Sequence, residues 1–335
     1  MVIDFHTHTF PDELAERAVG TLAESARIRN YLNGTAEDLR RSMKAAGVDY
    51  SVLLPVVTKP EQQAAINQIA IELNHNSKET GLLSFGGIHP DNADYRRILH
   101  GLAVNGVKGI KLHPVFQQTF LDDIRYLRII SCACSQGLIV LIHAGYDISH
   151  PHWEYSAVPH IVSMLDTVRP EKLVLAHMGG WNSWPEAESQ LAGRDIWLDT
   201  SFSLLPLQHD PGTLCTSGSC PGKNRNAPLK ACSQAVSNPI NKPVLKSHKT
   251  ICETGNVPAI PIDMDNPGTK YRLPREDFLR MVKKHGADRI LFGSDSPWGG
   301  QAETIAALKD TGLTDNELQA VLGENAARLL QFHFN

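Results

Sequence analysis

The chain has 335 residues, 42% hydrophobic and 20% charged, with a formal net charge of −4. That length suits a barrel carrying an insertion, and a core of that size needs no disulfide staples. The acidic balance and the lack of a long basic run exclude nucleic acid and an anionic membrane surface as expected partners, and no apolar run approaches the roughly 20 residues of a membrane span.

The first predicted strand runs from Val2 to His6 and leads into His6-Thr-His8. On a strand, residues i and i+2 face the same side, so two imidazoles can be offered to one ion. The chain enters this strand at once, which leaves no room for a signal peptide and predicts a cytoplasmic protein. Thr35-Ala-Glu-Asp38 is a variant capping box opening a helix that carries Leu39, Met43 and Ala46 on one face and ends at Gly47. The second strand is Tyr50–Leu54. A helix from about Pro60 to Lys78 follows, with Ala64, Ile66, Ile69, Ala70 and Leu73 at helical spacing. The third strand, Leu82–Ile88, ends at His89-Pro90, and a helix covers about 93–104. The fourth, Val107–Leu112, contains Lys111 and ends at His113-Pro114. A helix over about 121–135 carries Cys132 and Cys134, which read as small buried residues.

The fifth strand, Leu138–Ile142, runs into His143, and the sixth, Lys172–Ala176, into His177. The seventh is Asp195–Asp199. An irregular segment from about 205 to 272 interrupts the pattern before a helix over 274–285. The eighth strand, Arg289–Phe292, leads to Gly-Ser-Asp295, and helices near 301–310 and 315–330 close the chain. Eight strands alternating with helices predict an α/β fold, a (β/α)8 TIM barrel spanning 1–335 with a long insertion after strand 7. A doubly wound sheet would place a glycine-rich phosphate turn after the first strand, where His-Thr-His stands instead.

A barrel gathers its strand ends at one mouth. The polar residues there are His6, His8, His89, Lys111, His113, His143, His177 and Asp295. A catalytic divalent metal takes three or four protein ligands and keeps a site open for water, whose pKa it lowers to about 7. Two histidines from one strand, a third from another and a carboxylate supply such a set. Trp181, Trp184 and Trp298 follow strand ends and can wall a pocket, as can His150, His152 and Trp153 in the loop after strand 5.

The His-x-His on strand 1, His on strands 5 and 6, and Asp on strand 8 resemble the amidohydrolase superfamily. Gly109-Ile-Lys-Leu-His-Pro114, Leu175-Ala-His-Met-Gly-Gly180, Leu291-Phe-Gly-Ser-Asp-Ser-Pro297 and Gly323-Glu-Asn-Ala-Ala-Arg328 are similar to the amidohydrolase-related branch that also contains aminocarboxymuconate-semialdehyde decarboxylase. The resemblance covers nearly the whole chain outside 205–272. It implies that His6, His8, His143 and Asp295 bind one divalent ion, zinc by family habit, and that His177, with Asp295, handles protons. It also implies that Lys111 either bridges two ions after carboxylation or pairs with a substrate carboxylate. His113 and Trp298 are assigned to substrate binding. The expected activity is metal-dependent hydrolysis of a small amide, lactone or ester. The alternatives are non-oxidative decarboxylation on the same site and a metal-binding barrel without turnover. The expected partner is a small molecule, and a homo-oligomer is compatible with the sequence. The segment 205–272 is expected to border the mouth as a lid. Its cysteines, Cys215, Cys220, Cys232 and Cys252, lack a short Cys-x-x-Cys pair and argue poorly for zinc. Disulfides among them are disfavoured in a reducing compartment.

Overall fold

The structure is a computed structural model that describes residues 1–208 and 271–332. The lid expectation and the four cysteines between 215 and 252 lie outside the described residues. The strands are β1 (Ile3–Thr7), β2 (Tyr50–Leu53), β3 (Leu82–Ser84), β4 (Gly86–Gly87), β5 (Gly109–Leu112), β6 (Ile139–Ile142), β7 (Leu173–Leu175), β8 (Trp197–Asp199) and β9 (Ile290–Leu291). They pair in parallel in the orders β1-β2-β3 and β4-β5-β6-β7-β8-β9. β3 and β4 are the predicted third strand, interrupted at Phe85, whose amide still bonds Leu53 O at 2.9 Å. At the other seam Phe5 N bonds Phe292 O at 2.8 Å and Asp295 N bonds His6 O at 2.8 Å, and Thr7 bridges Ser296 in parallel. These bonds bring the last strand back to the first, so the predicted TIM barrel stands.

Alternation along the strands sorts two cores. Ile3, Phe5, Val52, Leu54, Phe85, Ile139, Leu141, Val174, Ala176 and Leu291 fill the interior, together with Ala326, Ala327, Leu329 and Leu330 of the last helix. That helix (Asn325–Leu330) plugs the end where the strands begin, with Phe332 on the Tyr50 ring and Arg328 over Trp197. The odd partners, such as Leu112, Val140, Ile142, Leu173 and Leu175, face the surrounding helices. The predicted helix over 315–330 is one helical path interrupted by a π-turn at Ala320–Glu324, where Val321 O accepts the amide of Phe292.

Among the described residues four α-helices went unpredicted, Asp12–Ala26, Pro114–Gln117, Val158–Val168 and Trp184–Gln190. The predicted helix over 60–78 is broken into Pro60–Gln62, Gln63–His75 and Ser77–Thr80. Cys132 and Cys134 are half-buried rather than buried, because the helix Ile124–Ser135 turns Ile129, Ile130 and Ala133 to the core. Among the described residues no helix is long and apolar enough to cross a membrane.

Candidate active site

Strict alternation would turn His6 away from the interior, since Phe5 already faces it. A register shift between Asp4 and Thr7 adds the half-step that points His6 inward after Phe5. Asp4, on the outer side, takes hydrogen bonds from Ser294 N (2.9 Å), Ser294 Oγ (2.6 Å) and Gln301 Nε2 (2.8 Å), and so ties the turn carrying Asp295 to β1. Burial lifts its carboxyl to about 6 against these bonds. Gly293 permits the close approach: a Cβ there would stand 2.9 Å from His6 Cβ. Asp295 and His177 both hold left-handed backbone, at φ 66° and 58°, a strain that the surrounding bonds sustain.

Three ligand atoms converge. His6 Nε2 lies 3.3 Å from Asp295 Oδ1, and His8 Nε2 lies 3.1 Å from the same oxygen. Each ring's other nitrogen is committed: His6 Nδ1 donates to Asp199 Oδ2 at 2.8 Å, and His8 Nδ1 donates to Leu54 O at 2.8 Å. Both Nε2 atoms therefore present lone pairs to a carboxylate oxygen, an arrangement suited to a cation. Burial first, then the Lys111 ammonium, keeps the His6 imidazole neutral well below its ordinary range. The Asp295 carboxyl is held below the usual carboxylate range against its burial. Two imidazoles, one carboxylate and an open side fit a catalytic zinc.

His143 stands beside this group rather than in it. Its Nε2 donates to Tyr146 O at 3.1 Å, and its Nδ1 lies 3.0 Å from His177 Nε2. His177 Nδ1 donates to Ser201 O at 3.0 Å, so two lone pairs face each other across that gap, where a proton or a cation is required. The ring of His177 is 5.3 Å from that of His6, linking the two halves. His143 also clusters with His113 and Asp147, all three buried. In that cluster His113 Nδ1 accepts from Phe116 N, which leaves its Nε2–H 3.7 Å from Asp147 Oδ2, while the His143 Nε2–H is spent on Tyr146 O and lies 3.9 Å from the same carboxylate oxygen. That cluster offers a cation no bare ring nitrogen on the Asp147 side and is the poorer cation site.

Lys111 is buried inside the barrel. Its Nζ is 3.4 Å from His6 Nε2, and burial lowers its pKa to about 8 against the pull of Asp199, Asp295 and Asp147. A cavity of about 440 Å3 opens over the group. Lys111, His113, His177 and Trp298 line it, as do His150, Trp153 and Trp181, with Phe10, Ile28, Phe116, Tyr146, Asp147 and Phe202 completing the wall. Trp184 lies behind it and fixes the turn by donating to His177 O at 3.0 Å. His89 is buried away from it, its Nδ1 capped by Asp91 N. Sequence reasoning passed over Asp199, although it ends the seventh strand by the same rule that picked the histidines. Asp147 and Tyr146 sit in a loop and carried no spacing signal.

The sequence matches the amidohydrolase family model across residues 3–332. A search of curated proteins finds no match. Among solved structures, a protein assigned as a 2-pyrone-4,6-dicarboxylic acid hydrolase from Pseudomonas putida aligns with TM-score 0.59 at 17% identity, over 100% of this chain and 98% of its own. The 5-carboxyvanillate decarboxylase of Sphingomonas paucimobilis aligns with TM-score 0.57 at 14% identity, over 99% of each chain. A 2,6-dihydroxybenzoate decarboxylase from Rhizobium gives TM-score 0.60 at 14% identity over 98% of each. At these identities the likeness is one of fold.

Proposed function

The chain belongs to the amidohydrolase family, and from that premise we propose that it is a metal-dependent hydrolase of a small organic ester, lactone or amide. The observation that carries this reading is the convergence of His6 Nε2, His8 Nε2 and Asp295 Oδ1 with every other ring nitrogen tied off. A divalent ion there, zinc by ligand type, supplies Lewis acidity toward a carbonyl oxygen and toward water. Asp295, kept ionised, is placed to take a proton from the attacking water. His177 Nε2, free of any backbone bond, is placed to take that proton and return it to the leaving group. The apolar, aromatic wall and the cavity volume suit a single ring system.

A second reading, non-oxidative decarboxylation, draws on Lys111. A buried ammonium in the cavity wall is a natural partner for a substrate carboxylate, and two of the structural neighbours are named as decarboxylases of hydroxylated aromatic acids. The test is a panel of lactones, esters, amides and hydroxybenzoic acids, offered to zinc-loaded protein in 18O-labelled water. Label in the product is the expected result. Carbon dioxide release with a hydrogen in place of the carboxyl transfers the assignment to the second reading. No turnover with zinc bound leaves a binding barrel.

A further inference from the structure

Asp199 is the last residue of β8 and its side chain is fully buried. Four donors converge on its two oxygens. His6 Nδ1 reaches Oδ2 at 2.8 Å, while Oδ1 takes Ser201 Oγ at 2.5 Å, Ser201 N at 3.0 Å and His177 N at 3.1 Å. Ser201 spends its hydroxyl proton on Asp199, so its Oγ turns lone pairs to His6 Nδ1 and His177 Nδ1, each at 3.0 Å. Ser201 O takes the His177 ring as well. One carboxylate and the serine it orders therefore hold the Nδ1 protons of two histidines that come from opposite parts of the chain. Their Nε2 lone pairs are left for the site.

We infer that Asp199 is a positioning residue that fixes His6 and His177 in the Nδ1–H tautomer and so sets the cation affinity of the His6–His8–Asp295 group; the affinity half of this rests on the metal reading given above. The physics is that an imidazole offers a lone pair only at the nitrogen its partner leaves bare. Asparagine at 199 keeps the size but can turn an N–H toward His6 Nδ1. The His6 proton then moves to Nε2, and the lone pair is lost where the cation needs it.

The tautomers are read in metal-free, 15N-histidine-labelled protein by long-range proton–nitrogen correlation, with His6→Gln and His177→Gln assigning the signals. Nδ1–H on both rings is expected. Nε2–H on His6 in the wild-type protein overturns the proposal, and this readout needs no variant at 199. Zinc affinity is then measured by competition with a chelator in wild type and in Asp199→Asn. A loss of about 10–100-fold is expected, with far-ultraviolet circular dichroism unchanged. A folded Asp199→Asn protein with wild-type zinc affinity, or with His6 still Nδ1–H, overturns it too. Wild-type protein that binds no zinc refutes the metal reading and with it the affinity half, while the tautomers of the same sample independently decide the positioning role.

Discussion

His177 combines two properties a proton-transfer group needs, a ring that cannot turn and a nitrogen that no backbone group occupies. Ser201 O holds Nδ1, Trp184 Nε1 holds the backbone carbonyl, and Nε2 faces His143 and the cavity. His177→Asn should lower kcat by at least about 100-fold, the scale of general acid–base catalysis, and leave zinc content by metal analysis close to wild type. Metal loss as large as that of His6→Ala would instead make His177 a ligand. Lys111 separates the two proposed reactions. Its ammonium lies in the cavity wall, where it can pair with a substrate carboxylate. Lys111→Met should therefore raise KM for a carboxylate-bearing substrate by about 10-fold or more, while KM for a neutral ester stays close to wild type. The chemistry-bearing histidines were legible because strand ends can be counted along a chain. Asp147 was not, since His113 comes from a separate segment and only folding puts that ring near its carboxylate.

The strands were readable as apolar runs because a barrel buries both faces of each, and their predicted ends fall within a few residues of the observed ones. What the pattern could not carry is the irregular step inside an element. The register shift after Asp4 reverses which face His6 occupies, and no composition signal marks it. The helix Asp12–Ala26 hid for another reason: its buried positions are Ala15, Val19 and Ala26, mostly too small to draw an apolar stripe, and Pro11 offers no side-chain cap. The helix Val158–Val168 carries Val158, Ile161, Met164 and Leu165 at helical spacing, a signal that was present and passed over. The capped helix Ala36–Ala46 behaved as read. Thr35 accepts the amide of Asp38 at 3.2 Å, and Gly47 takes left-handed backbone at φ 71°. Thr35→Ala should cost about 1 kcal/mol in a denaturant titration, the usual worth of an N-cap, and leave kcat unchanged. A change in turnover would mean that this helix, remote by sequence, steers the mouth.

At the scale of the whole molecule, the barrel is built around imidazoles that burial keeps neutral, and this should make it acid-labile. His6, His113 and His143 are held well below the ordinary histidine range, first by burial and then, for His6 and His113, by the Lys111 ammonium. His285 lies outside the cavity wall, at the end of the helix Arg275–His285, and burial followed by Arg289 lowers it to about 4. Its Nδ1 accepts the amide of Gly193 at 3.1 Å. A histidine whose folded pKa is depressed binds its proton first in the unfolded chain. Its contribution is therefore intact above about pH 6.5 and is lost as pH falls toward the folded value. For His285 alone the loss at pH 5 is about 2 kcal/mol, from roughly 1.4 kcal/mol per pH unit. His285→Gln keeps an acceptor for Gly193 and removes the titration. The stability gap between wild type and this variant, from denaturant midpoints, should shift by about 2 kcal/mol in the variant's favour between pH 7 and pH 5. Added zinc should not change that shift, because His285 is no ligand. The same zinc should lower the pH of acid unfolding in both proteins, because the cation competes with protons for His6 and His8. An unchanged gap would place the acid sensitivity of the fold in the mouth alone.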